Sequence, residues 1–288
     1  MKKYLQLIRF EQYVKNIFVY APLFFGGVFL NFDLFFKTTI AFLSFCAISS
    51  CVYIINDYFD IEEDQLHPIK SKRPLASGTK KKQKALFLAF GLFLLSFFLT
   101  IYTNRNITIC LFIYLILNFF YTIKLKKIAI LDLNIIAIGF VLRIIVGGFA
   151  TKIEPSMWIL IETFILALFL ALAKRRTDFV LFTNGILVRE SIKGYNLIFI
   201  DIVLGFLSAI ILVCYLFYCI SPEIESHYHS SLVYVSTIFV LNGLLRYLKL
   251  ALVDQTTYSP TVIILKDRFI QVCILGWMLF LGFLLYYN

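Results

Sequence analysis

Residues 46–64 read CAISSCVYIINDYFDIEED. From Cys46 to Ile55 every residue is apolar or a small serine, and then the character flips. Asn56, Asp57, Asp60, Glu62, Glu63 and Asp64 follow within two turns of helix. Asp57, Asp60 and Asp64 stand at i, i+3 and i+7, which places all three on one face of a helix. Three like charges on one face repel unless a cation sits among them. Magnesium prefers a few carboxylates completed by phosphate oxygens, so this face suits a diphosphate held by Mg²⁺. The plain alternative is a solvated acidic helix end. It fits less well, because Asn56 and Asp57 abut the apolar run directly, and polar groups at that depth are costly and usually functional.

Composition widens this into a membrane protein. Of 288 residues, 61% are hydrophobic and 15% are charged, against roughly 25% charged in ordinary soluble domains. The mean hydropathy is +0.88. A spanning helix takes about 20 mostly apolar residues, so the chain holds many and leaves little for a soluble domain. Nine segments qualify: 15–35, 37–58, 84–103, 106–123, 128–150, 156–174, 195–219, 229–250 and 269–287. A β-barrel would alternate apolar and polar residues. Runs such as Leu197 to Ile220 do not, so the fold class is all-α, a polytopic bundle forming one domain over residues 1–288. No short apolar core with a cleavage site follows Met1 to Phe10, and the first segment is expected to be retained.

The charge pattern sets the orientation. With the N-terminus cytoplasmic, all 27 Lys and Arg fall on the cytoplasmic side except Lys37, Arg105 and Lys152 outside and Arg143 inside a helix. That asymmetry is the positive-inside rule. It predicts a multi-pass protein with a cytoplasmic N-terminus and a cytoplasm-facing site. Substrate loops are expected around 59–83, 124–127, 174–194 and 251–268. The six cysteines lie in apolar segments without metal-ligand spacing. The three histidines are scattered, and neither a P-loop nor a Ser-His-Asp pattern is present.

Several basic and polar residues join the acidic face as candidates. Lys72 and Arg73 follow it in a loop that can fold back over a diphosphate, Arg offering bidentate contacts. Tyr121, Lys124 and Asp132 cluster at the next cytoplasmic junction, and Lys174, Arg175 and Arg176 at another. Each of these clusters also reads as topology charge. Together with the aspartates they suit two phosphorylated substrates. Arg143 and Glu162 lie at similar depths in adjacent spans, and buried charges pair. A structural Arg143–Glu162 bridge is therefore expected ahead of a substrate contact by Arg143.

These motifs resemble the UbiA superfamily of intramembrane prenyltransferases. The N-D-x-x-D-x-x-x-D pattern is complete at Asn56, Asp57, Asp60 and Asp64, and Tyr121 with Lys124 resembles the approach to the family's second acidic motif. Prenyl-transferring members carry D-x-x-x-D there, whereas here Asp132 is followed by Ile136. The stretches Gln12 to Asn16 (including Lys15), His67-Pro68 with Lys72-Arg73-Pro74, Leu131-Asp132, Gly139 to Arg143, Ala173 to Arg176 and Leu265 to Arg268 resemble the phosphoribosyl-transferring branch.

The resemblance implies Mg²⁺-dependent transfer of 5-phosphoribose from phosphoribosyl diphosphate to a polyprenyl phosphate, with release of diphosphate. Asp57, Asp60 and Asp64 would hold the metal. Lys15, Asn56, Lys72, Arg73, Tyr121, Lys124, Asp132, Arg143, Lys174, Arg175 and Arg176 would contact substrates. The partners implied are those two substrates and membrane lipids, with no nucleic acid, and the membrane implied is the plasma membrane; homo-oligomerisation is left open. The rivals are an ordinary prenyltransferase, which wants a second carboxylate pair, and a transporter, which wants broken helices and polar groups near the midplane.

Overall fold

The computed structural model describes residues 2–67, 70–101, 103–186, 190–254 and 260–287. Pro68, Ile69 and Arg189, and parts of the loops expected at 59–83, 174–194 and 251–268, lie outside the described residues. Every regular element among those described is helical. Eight helices are long and apolar enough to cross a membrane: Phe32–Phe59, Lys82–Ile101, Arg105–Ile123, Leu131–Thr151, Met157–Thr183, Leu197–Cys219, Ser231–Val253 and Arg268–Tyr287. They match eight of the nine expected segments.

The exception is 15–35. It forms a 3-10 helix over Phe10–Tyr20, a short α-helix over Ala21–Phe25, and a turn. The breakers are local. Pro22 falls at the first turn of Ala21–Phe25, where a missing N–H costs nothing. Gly27 then turns the chain at φ 68°, a conformation open to glycine. Asn31 restarts a helix by accepting the Leu34 N–H at 3.2 Å.

The described residues form two compact units. The first runs to Pro155 and includes Phe182–Ser191. Its core joins Val19, Phe45, Ile48, Ile107, Leu111, Tyr114, Leu142 and Val146. Small residues let its helices approach: Ala85 and Ala89 are buried, and Ser96 Oγ donates to Ser44 O at 2.9 Å.

The Phe10–Tyr20 segment lies as a strap along the Phe32–Phe59 helix. Tyr20 OH donates to Thr39 Oγ1 at 2.9 Å. Asn16 Nδ2 donates to Cys46 Sγ at 3.1 Å and Ser49 Oγ at 3.3 Å. Tyr13 OH meets Ser50 Oγ at 2.9 Å. Arg9, just before the strap, pairs with Asp57. Positions 39, 46, 50 and 57 recur on one helix face, since eighteen residues make five turns. The strap also packs on Leu131–Thr151, where a Cβ on Gly147 would lie 2.1 Å from Val19 O.

The second unit comprises Ser156–Leu181 and the chain from Ile192 onward. Its buried polar groups are mostly tied together. Tyr215 OH meets Ser236 Oγ at 2.6 Å and accepts from Trp277 Nε1 at 2.6 Å. Glu162 Oε1, by contrast, is buried with no hydrogen-bond partner among the described residues.

Candidate active site

The cytoplasm-facing end expected for Phe32–Phe59 carries the acidic face, and the helix stops there. Asp60 caps it, its N–H bonding Asn56 O at 3.0 Å, and a short helix over Ile61–Gln65 continues the turn. Asp57, Asp60 and Asp64 are 2%, 6% and 3% exposed, whereas Glu62 and Glu63 face outward. The i, i+3, i+7 spacing thus selects one inward face.

Each buried carboxylate meets a cation from a different segment. Asp57 pairs with Arg9, whose guanidinium also lies 4.9 Å over the Tyr53 ring. Arg73 Nη1 donates to Asp64 Oδ2 at 2.6 Å and to Asp57 Oδ1 at 3.2 Å. Asp60 pairs with Lys126. Asn56 Nδ2 donates to Asp60 Oδ2 at 2.9 Å, and Asn56 Oδ1 accepts from Thr122 Oγ1 at 3.3 Å. Burial pushes the Asp64 carboxyl above its ordinary value, against the opposing pull of Arg73. Burial and the charge of Arg9 draw the Arg73 guanidinium down.

The loop that delivers Arg73 is held by its own backbone. Arg73 N–H bonds Lys70 O at 2.9 Å, Ser77 N–H bonds Arg73 O at 2.9 Å, and Pro74, Leu75 and Ala76 are buried. Lys72, its neighbour, is exposed.

At the second junction Tyr121 and Lys126 are buried while Lys124 is exposed. Ile130 has φ 68° and ψ −48°, with the Leu131 N–H bonding Ala129 O at 2.8 Å. This is a γ-turn, strained for a β-branched residue. It launches Leu131–Thr151 with Asp132 in its first turn, fully buried and accepting from Ser191 Oγ at 3.3 Å.

Arg143 is buried within the first unit. It donates to Asn16 Oδ1 at 2.9 Å and Gly139 O at 2.6 Å. The three aspartates of the acidic face meet different cations. Among the described residues no three His, Cys, Asp or Glu side chains converge as a metal site. Asp57 and Asp64 share one cationic nitrogen, and Asp60 turns to Lys126.

In the second unit, Arg175 pairs with Asp178 at 2.6 Å. Arg176 pairs with Asp201 at 2.7 Å and donates to Ala251 O at 2.6 Å. Both are buried, and Lys174 is exposed. Arg9 and Lys126 were missed as site residues because basic residues near helix ends read as topology charge. The signal for Arg9 was its register with Tyr13, Asn16 and Tyr20.

Fold and site together define a multi-pass α-helical membrane protein with a carboxylate-lined helix end. The chain belongs to the UbiA prenyltransferase family, whose model matches residues 17–256. It is a transferase of the membrane. A decaprenyl-phosphate phosphoribosyltransferase of Mycolicibacterium smegmatis is 30% identical over 99% of this chain and 92% of its own length. The protein of that name from Corynebacterium glutamicum is 29% identical over 95% of this chain and 84% of its own. A solved UbiA homolog from Archaeoglobus fulgidus, bound to DMAPP and Mg²⁺, superposes with a TM-score of 0.74 at 20% identity, covering 99% of each chain.

Proposed function

We propose that the chain transfers 5-phosphoribose from phosphoribosyl diphosphate to a polyprenyl phosphate at the cytoplasmic face of the plasma membrane. The observation that carries this reading is the end-to-end likeness to proteins named for that reaction. The lone carboxylate at Asp132, with Ile136 in place of a second, supports it against ordinary prenyl transfer.

Magnesium fits the donor set. Asp57 and Asp64 already hold one cationic nitrogen between two hard oxygens, and Mg²⁺ needs only one or two protein carboxylates beside phosphate oxygens. When bound, the ion would stabilise charge on the departing diphosphate. The chain's own residues do the rest. Arg73 and Arg9, poised on the carboxylates, are suited to turn toward phosphate oxygens. Lys126 keeps Asp60 in place. Lys72 and Lys124, exposed beside the site, screen incoming anions.

The acceptor phosphate is ionised at neutral pH and needs no strong base. Its oxygen forms the new bond to the anomeric carbon as the bond to diphosphate breaks, the diphosphate leaving with the electron pair. Inversion at that carbon is expected.

The test incubates purified protein and Mg²⁺ with labelled phosphoribosyl diphosphate and a polyprenyl phosphate. A labelled lipid that vanishes with Asp64→Asn supports the reading. No labelled lipid, with turnover of a prenyl diphosphate instead, overturns it.

A further inference from the structure

The acidic face is balanced by the protein's own cations, but a second buried polar cluster is not. Arg143 is 4% exposed. It lies twelve residues into Leu131–Thr151, about 18 Å along the helix from its start. Nε and Nη1 serve neutral acceptors, Asn16 Oδ1 and Gly139 O. The guanidinium carbon sits 4.5 Å from the Phe45 ring centre, 5.2 Å from Phe140 and 5.3 Å from Tyr114. Among the described residues no carboxylate pairs with it.

Lys15, next to Asn16 on the strap, lies within electrostatic reach of both Arg143 and Arg9 and pairs with no described carboxylate either. Arg9, Lys15 and Arg143 thus descend from the acidic face into the first unit, and the positive charge goes unmatched only at the inner end. A buried cation without an internal counter-charge is costly unless an anion joins it. A role in spacing helices would be filled as well by a neutral side chain. A guanidinium fork framed by an amide and aromatic rings suits a phosphate.

We infer that Arg143, Lys15 and Asn16 form an inner site for a phosphomonoester, separate from the diphosphate held at the aspartates. The inference deepens the phosphoribosyl-transfer reading and rests on it for the choice of anion. The phosphomonoester is either the lipid phosphate or the ribose 5-phosphate.

Binding to the purified full chain, with Mg²⁺, decides the matter. The probes are farnesyl phosphate, phosphoribosyl diphosphate and inorganic diphosphate. Asn16→Asp sets a carboxylate against Arg143, so it should fold at least as well as wild type yet exclude the phosphate. Asn16→Asp and Arg143→Gln are expected to weaken one phosphomonoester probe by about tenfold or more. Inorganic diphosphate should stay within about threefold of wild type, whereas Asp64→Asn should weaken inorganic diphosphate and phosphoribosyl diphosphate and spare farnesyl phosphate. Selective loss of farnesyl phosphate assigns the site to the lipid; selective loss of phosphoribosyl diphosphate assigns it to the sugar.

Wild-type affinity for all three probes in folded Asn16→Asp overturns the inference. So does equal loss of inorganic diphosphate, or wild-type protein that binds neither phosphomonoester. Arg143-dependent binding of farnesyl phosphate without any binding of phosphoribosyl diphosphate would keep the inner site and sink the phosphoribosyl reading. If Arg143→Gln does not fold, Asn16→Asp alone gives the answer.

Discussion

Arg73 donates to Asp64 Oδ2 at 2.6 Å, and the same nitrogen reaches Asp57 Oδ1 at 3.2 Å. One guanidinium nitrogen therefore occupies the gap between two buried carboxylates seven residues apart. Arg73 and a metal ion would compete for that gap. In Arg73→Gln, Mg²⁺ without substrate should raise the melting temperature more than it does in wild type, since the competing cation is gone. Turnover should fall by roughly 10²-fold, because a preorganised charge for the phosphates is lost. A Mg²⁺ titration by thermal shift, beside an activity assay, checks both. Equal Mg²⁺ stabilisation of the two proteins would mean Arg73 does not hold the metal's place.

Lys126 and Asp60 are each 8% exposed in their side chains. Removing one partner strands the other's charge. Lys126→Met should cost about 3–5 kcal/mol, while Lys126→Met with Asp60→Asn should recover most of it. Asn at position 60 can still bond Asn56. Activity should not return with stability. Denaturation of the two variants measures the difference, and an equally unstable double variant would contradict the pairing.

Gly147 is fixed by contact. A Cβ there would lie 2.1 Å from Val19 O and 2.9 Å from Pro22 Cδ, both backbone or ring atoms that cannot swing away. Gly147→Ala should cost about 1–3 kcal/mol and loosen the strap. At Gly91 nothing lies within 4 Å. Gly91→Ala, inside a helix, should be neutral or stabilise by about 0.5–1 kcal/mol. Melting temperatures of the two variants separate local crowding from a general intolerance of change.

Asp267 caps Arg268–Tyr287 by accepting the Ile270 N–H at 3.0 Å and pairs with Arg246 at 2.8 Å. Arg246 holds its carboxyl below the ordinary value, against a smaller opposing effect of burial. A lowered folded-state value means its stabilisation is present above the unfolded carboxylate range, near pH 4, and fades as pH falls through the folded value. Asp267→Ala should cost about 1 kcal/mol at neutral pH. The gap to wild type should close in acid. A gap that persists at low pH would show that the ionised carboxylate is not responsible.

Much of this was legible in the sequence. The spacing of Asp57, Asp60 and Asp64 picked out an inward face, and the apolar segments placed eight spans with nearly correct limits. Mean hydropathy could not distinguish a helix from the strap at 10–25, since both are apolar; Pro22, Gly26 and Gly27 carried that information. Arg9 and Lys126 were masked by the positive-inside pattern, which explains any basic residue near a helix end and so identifies none. Arg143 stands out in the sequence as a charge inside a span, but nothing in the sequence points to Asn16 as its hydrogen-bond partner. Its register against Asn16 is set by the strap.

The strap's geometry has a further consequence for how its length can vary. A 3-10 helix advances about 2 Å and turns about 120° per residue. Arg9, Tyr13, Asn16 and Tyr20 each meet their partners only at their present phase. One residue inserted between Arg9 and Asn16 would swing Arg9 a third of a turn away from Asp57 while Asn16 kept its place. Side chains along this segment can be exchanged one at a time, but its residue count cannot change without uncoupling the two ends of the site.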